Sequence, residues 1–450
     1  MANVYVSKSG NDSKAGEINE PILTLTKAFE MINASGSGGD TGPYQIIIKD
    51  DGVYQEGKLG LQPVLARNNL TIMAETGSDG RPLLTPTIRG SGSAGVQGRA
   101  FYCDDGWVIF GLKFDNWIIS NGNGVIESRS INSSPITVKD CIFTEITGTC
   151  INLSAGSSDP GLHIIERNRF HEINIPSSSN TNTIDLGVNA KKAKITNNVF
   201  HDIQFRTDSS RLINLGGTRS PENIISHNVF GTSSVEQAGD PDFVVVAKYA
   251  KFEYNIMTGY DNDVAFIDNE GGESNYNIYF NITGSGTNAP FGGSSGPTAS
   301  ANNQADVNAR FKGPLVGSNA NYRLAGTSSP AFDAAVGSSD VTTDFTGRLR
   351  TTLDLSAFAR GIFDIGAFEL TGLFQNETVS SSVDISDDFI IKRIPNAQGQ
   401  WRRGAQEGQA DIFGRDVEQV PMSTAIQGAV PGFIRTQPGG AIKGTKITKG

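Results

Sequence analysis

The sequence predicts an all-β fold: a single-stranded right-handed parallel β-helix (solenoid) with an N-terminal capping helix and an extended C-terminal arm. Three observations predict it. A short apolar phrase with an asparagine and a large residue recurs at intervals of about one solenoid coil. The composition favours short strands and tight turns. The repeat stops near residue 370, and the texture of the chain changes there.

The phrase reads VIFGLKFDN (108–116), TVKDCIFTEI (137–146), IIERNRFHEI (164–173), KITNNVFHDI (194–203), IISHNVFGT (224–232), KFEYNIMTG (251–259) and SNYNIYFN (274–281). Aligned on the large residue, it gives Phe114, Phe143, Phe170, Phe200, Phe230, Met257 and Tyr279, at spacings of 22 to 30 residues. That length suits a coil of three strands and three turns, stacked on its neighbours at about 4.8 Å. No coil can bury its apolar face alone, so each needs the coils above and below it. The large residues are expected to form a column inside the tube. Asn168, Asn198, Asn228 and Asn255 lie two places before them. They are expected to form a structural ladder that hands amide hydrogen bonds from coil to coil and satisfies buried turn groups. His171 and His201 each follow the repeated Phe. Stacked histidines can hold a metal or carry a proton, yet their equivalence within the repeat accounts for them without either role.

Composition agrees with this reading. The 53 glycines among 450 residues are about 12%, against a usual ~7%. With 19% charged and 37% hydrophobic residues, neither a helical protein nor a disordered one is indicated. A net charge of −10 argues against a broad nucleic-acid interface. Cys103, Cys141 and Cys150 are too few and too unevenly spaced for a disulfide framework or a CxxC metal site, and they read as buried thiols. The start, MANVYVSKSG, has no secretory signal pattern. No 18-residue apolar run offers a membrane span.

The ends complete the domain division. Residues 1–40 form an N-terminal cap, in which PILTLTKAFEMI (21–32) has helical apolar spacing and begins with a first-turn proline. Residues 41–370 form the solenoid with its closing segment. Within it, the Gly/Ser/Asn-rich stretch 285–320 reads as a loop across the side. Residues 371–450 read as an extended assembly arm: coil pattern ceases, and single large side chains stand among polar residues. Phe389, Trp401, Phe413 and Phe433 would be its anchors. Arg435, Lys443, Lys446 and Lys449, in an end without acidic residues, would seek an acidic partner surface.

The opening YVSKSGNDSKAG (5–16), the helix after it, and the closing segments YRLAGTSSPAFDAAVG (322–337), DFTGRLR (344–350) and FDIGAFE (363–369) resemble those of pectate-lyase-like right-handed β-helix proteins. The resemblance spans about 80% of the chain and implies the fold. It implies little about activity, because one fold hosts many functions. Asp364, Gly366 and Glu369 read as capping-turn residues. Many relatives of the scaffold cleave polysaccharides, the lyases with a basic residue beside Ca²⁺-binding acids and the hydrolases with a carboxylate pair. The densest acidic run holds Asp261, Asp263, Asp268 and Glu270, oxygen ligands that suit Ca²⁺, but no basic residue lies within it. Asp185 with Lys191, Lys192 and Lys194, and Asp202 with Arg206, are further mixtures. No catalytic residue is assigned from sequence, and no cofactor is required.

The function expected from sequence is that of a structural, receptor-facing component of a phage virion, a spike or decoration protein. Its β-helix would face outward and its arm at 371–450 would contact other virion proteins. A homotrimer and binding to a cell-surface polysaccharide accompany this expectation; nucleic acid and membrane do not. The alternative is a polysaccharide lyase or glycoside hydrolase, free or as a tailspike depolymerase, and secreted if a signal has been removed.

Overall fold

Alternating β-branched residues such as Tyr44–Ile48 and Leu70–Ala74 place every second side chain on one face, and those inward residues are buried. In the computed structural model these segments pair in parallel into three sheets, of eleven, nine and eight strands. We number the sheets 1, 2 and 3 in the order in which each coil visits them. The structure describes most of residues 2–369. It omits a set of connecting segments, of which the longest are 56–67, 232–242, 281–290 and 351–363, and all of 370–450. The compact unit is Met1–Glu369. The arm and its anchors Phe389, Trp401, Phe413, Phe433, Arg435, Lys443, Lys446 and Lys449 therefore lie outside the described residues.

Register follows the repeat. Phe114, Phe143, Phe170, Phe200, Phe230, Met257 and Tyr279 are successive partners in sheet 2. The rings from Phe114 to Phe230 stack at 4.7 to 5.1 Å. Beside them, Asn168, Asn198, Asn228 and Asn255 are linked coil to coil. Each Oδ1 accepts from the backbone N–H and the Nδ2 of the asparagine before it, at 2.9 and 3.0 Å. Asn277 and Asn303 extend the row, and at its other end Asn168 Oδ1 accepts from Cys141 N–H. All three cysteines are buried and free, and burial pushes the Cys141 thiol up to about 12.

The ladder serves the corner between sheets 1 and 2, which is only two residues long at Asp140–Cys141 and Arg167–Asn168. The first residue of each such turn is left-handed: Asp140, Arg167, Asn197, His227, Tyr254 and Tyr276 have φ between 52° and 58°. Outside glycine that conformation costs roughly 1–2 kcal/mol; from Arg167 to Tyr276 the asparagine that follows offsets it by pairing buried backbone groups, and at Asp140 the following Cys141 N–H is taken by Asn168 of the next coil.

Two expectations need correction. The helix is Leu25–Ala34 and does not begin at Pro21. Thr24 Oγ1 accepts from Lys27 N–H, as an N-cap does, while Asp12 accepts from the N–H groups of Leu23 and Thr24. Ile22 is used instead in a bridge to Val6. Nor is 285–320 simply a loop. Strands Phe291–Gly292 and Thr298–Ala299 continue sheets 3 and 1, because pairing needs only backbone and tolerates small side chains. Gln304 still bridges Ile278 of sheet 2 and Val307 N–H donates to Tyr279 O; farther on, Gly317 N–H reaches Asp202.

The closing segment also lies against the side of the coils. Arg350, fully buried, donates to Glu369 (2.8 Å), to the carbonyls of Asp364 and Gly366, and to Asn197 Oδ1. Gly366 N–H donates to Tyr254 O, and Asn197 Nδ2 to Thr343 O. Farther along, Arg81 donates to Phe345 O and pairs with Asp140. Asp344, Asp364, Gly366 and Glu369 thus fasten a strap along the corner.

Candidate functional site

Two outward columns of polar side chains run along the solenoid axis. The first is on sheet 2, where Arg89, Asp115, Thr144, His171 and His201 are partners in register. Arg89 pairs with Asp115 at 2.6 Å. The rings of His171 and His201 stack at 5.1 Å, 3° from parallel. Arg169 Nε–H donates to His201 Nε2 at 3.0 Å, which places the His201 proton on Nδ1, 2.9 Å from Asp202 Oδ2. Burial, with Arg169 next in weight, lowers His171 to about 3. Burial likewise lowers His201 to about 4, against the pull of Asp202. Both rings are neutral at pH 7, and neither is poised to exchange a proton there. The next partner place is Gly231, where a Cβ would strike the Tyr322 ring; only glycine lets that ring lie on the sheet.

The second column is on sheet 3. Tyr102, Glu127, Asn152, Asp185 and Asn214 are successive register partners. Glu127 and Asp185 lie two coils apart, about 10 Å at ~4.8 Å per coil. Asn152 lies between them. Glu127 is ion-paired to Arg99, which also lies over the Tyr102 ring at 4.3 Å and donates to Asn123 Oδ1 at 2.9 Å. Gly124 N–H donates to Glu127 at 3.2 Å. A Cβ on Gly124 would lie 2.8 Å from Asn152 N, so glycine is needed for this close approach. Asp185 accepts from Asn182 Nδ2 (3.0 Å), Gly187 N–H (2.7 Å) and Asn214 Nδ2 (3.2 Å). Burial nonetheless raises its pKa above the ordinary aspartate value. One carboxyl inclined to hold its proton and a second in an ion pair thus share one face.

Asp268 ends strand Val264–Asp268 of sheet 3, opposite Ala247; Asp261, Asp263 and Glu270 lie outside the described residues. Among the described residues no group of three or more His, Cys, Asp or Glu could hold a metal ion. Lys192 and Lys194 belong to a strand of sheet 1 and not to the Asp185 face. Lys191 and Arg206 are outside the described residues. Glu127 and Asn152 carry no signal in the sequence, because 25 residues separate them and 33 separate Asn152 from Asp185.

No protein-family model matches the chain, and no curated protein matches it in sequence. In structure it is similar to the pectate lyase Pel9A, with TM-score 0.40 and 14% identity over 82% of this chain and 97% of that one. It is also similar to the GH136 lacto-N-biosidase of Eubacterium ramulus, with TM-score 0.34 and 13% identity over 68% of this chain and 67% of that one. A third likeness is to a rhamnogalacturonan lyase, with TM-score 0.29 and 11% identity over 70% and 91%.

Proposed function

We propose that the protein is a glycoside hydrolase that acts on a polysaccharide laid along the sheet 3 face. The observation that carries this reading is the register of Glu127 and Asp185, two coils apart on one outward column with Asn152 between them. Asp185, raised by burial, would protonate the glycosidic oxygen; Glu127 would draw the proton from a water on the opposite side of the sugar ring. The two strands are spaced by about 10 Å at ~4.8 Å per coil, nearer the roughly 6.5–9.5 Å between the carboxyls of inverting enzymes than the 5–5.5 Å of retaining ones. Asn214 and Tyr102, both only partly buried, offer an amide and a ring to successive parts of an extended substrate. The connections that border the face are long, eight residues between Ser128 and Thr137 and nine between Asn152 and Leu162, and binding residues concentrate on such loops.

The test is release of reducing ends from a panel of neutral and acidic polysaccharides. Wild-type protein should cleave at least one, and Asp185→Asn and Glu127→Gln should each lose about 100-fold or more, the usual contribution of general acid–base catalysis. Cleavage that survives both substitutions would place the chemistry elsewhere. Display on a virion through 371–450, as a trimer, is compatible with this activity in the manner of a tailspike depolymerase. Its support is the composition of that segment, and mass spectrometry of purified particles would test it.

A further inference from the structure

A cavity of about 400 Å³ opens on sheet 2, away from the Glu127 and Asp185 column. Its floor is Arg169 and Val199, partners at the start of adjoining strands. One wall is the return pass Asn319–Arg323, and the other holds Phe345 and Phe368 of the strap. We propose that this cavity binds a small ligand that bears a carboxylate on a six-membered ring. Two guanidinium groups, Arg169 and Arg323, line it, and a guanidinium fork matches a carboxylate in geometry and charge. Phe345 and Phe368, with centroids 5.1 Å apart and both only half-buried, present ring surface to an apolar ligand face. Asn319 and Asn321 supply amide groups for hydroxyls.

The surrounding charges fit this polarity. The acids near Arg169 are Glu172 and Asp202. Asp202 is already engaged by His201 and by Gly317 N–H; Glu172 accepts from Thr144 Oγ1 at 3.0 Å. Burial lowers the Arg169 pKa, a cost of desolvation that an incoming carboxylate would reduce. Tyr322, whose hydroxyl donates to Leu315 O and whose ring meets Phe311 at 5.1 Å, holds the wall in place.

Titration calorimetry of the full chain with glucuronate, benzoate and glucose tests the proposal. A sugar acid and an aromatic acid share the required chemistry, so the tighter of the two identifies the source. The expected result is that at least one acid binds ten times or more tightly than glucose, and that Arg323→Gln weakens it at least tenfold while Arg323→Lys retains part of the affinity. Asp185→Asn should leave this binding unchanged, which separates it from the hydrolase reading. No heat from either acid, equal affinity for glucose, or indifference to Arg323→Gln would each overturn it.

Discussion

The corner between sheets 1 and 2 and the face of sheet 3 are built on opposite terms. From Gly111 onward each turn at the corner is two residues, those from Arg167 to Tyr276 are each backed by a ladder asparagine, and the Arg350 strap is fastened over it. Around sheet 3 the connections vary in length, and the outward column carries carboxyls and amides. The first arrangement suits a frame and the second a site that can change while the frame stays fixed. On the proposed reading, the frame sits at the corner and the chemistry on the sheet 3 face.

That segregation can be broken or sharpened by substitution. Arg350→Ala should have the largest effect, about 3–5 kcal/mol, because it takes from buried Glu369 its cationic partner and from the Asp364 and Gly366 carbonyls a donor. Chemical denaturation would read this as a lowered midpoint. Asn198→Ala comes next at roughly 2–3 kcal/mol, since it strands Ile165 O and the amide groups of Asn168. A loss under 0.5 kcal/mol, the range of an ordinary surface change, would remove the ladder from the account.

A smaller effect concerns pH. The unfolded chain takes up protons on histidine near 6.5, whereas folded His171 and His201 do so only near 3 and 4. Their contribution to stability is therefore full above about pH 6.5 and falls as pH drops below it. In thermal melts between pH 7 and pH 5, His171→Gln and His201→Gln should flatten the acid slope. The smallest stability effect is expected on sheet 3. Because burial raises Asp185, its ionisation opposes folding, and Asp185→Asn should change stability by less than about 1 kcal/mol at pH 7, if anything upward. A substitution that disables the face without weakening the frame would be the clearest sign that the two are separate.

The same contrast explains what could be read from the sequence. Phe170, Phe200 and Phe230 stand out because the turns before them have constant length, so Asn, apolar residue and aromatic keep their spacing from coil to coil. The solenoid and its ladder are legible for that reason. Asp185 is legible only as a candidate beside lysines, and its pairing with Glu127 is not, since loops of unequal length hide the shared register of their strands. Asp364, Gly366 and Glu369 are legible as parts of a closing segment, but the attachment of Arg350 to Asn197 and of Gly366 to Tyr254 is not, because each joins residues more than 100 apart in sequence. The helix start was displaced for a local reason: Pro21 fits a first turn, yet Thr24 supplies the cap.

The most direct test of the central claim is the stereochemistry of cleavage, followed by proton NMR of the first-formed reducing end from a polysaccharide that the protein degrades. Strands two coils apart, about 10 Å at ~4.8 Å per coil, are spaced more widely than the roughly 5–5.5 Å of a retaining pair, so the expected result is inversion of the anomeric configuration. Retention of configuration would require a nucleophile about 5–5.5 Å from the acid, and would contradict the assignment of this pair.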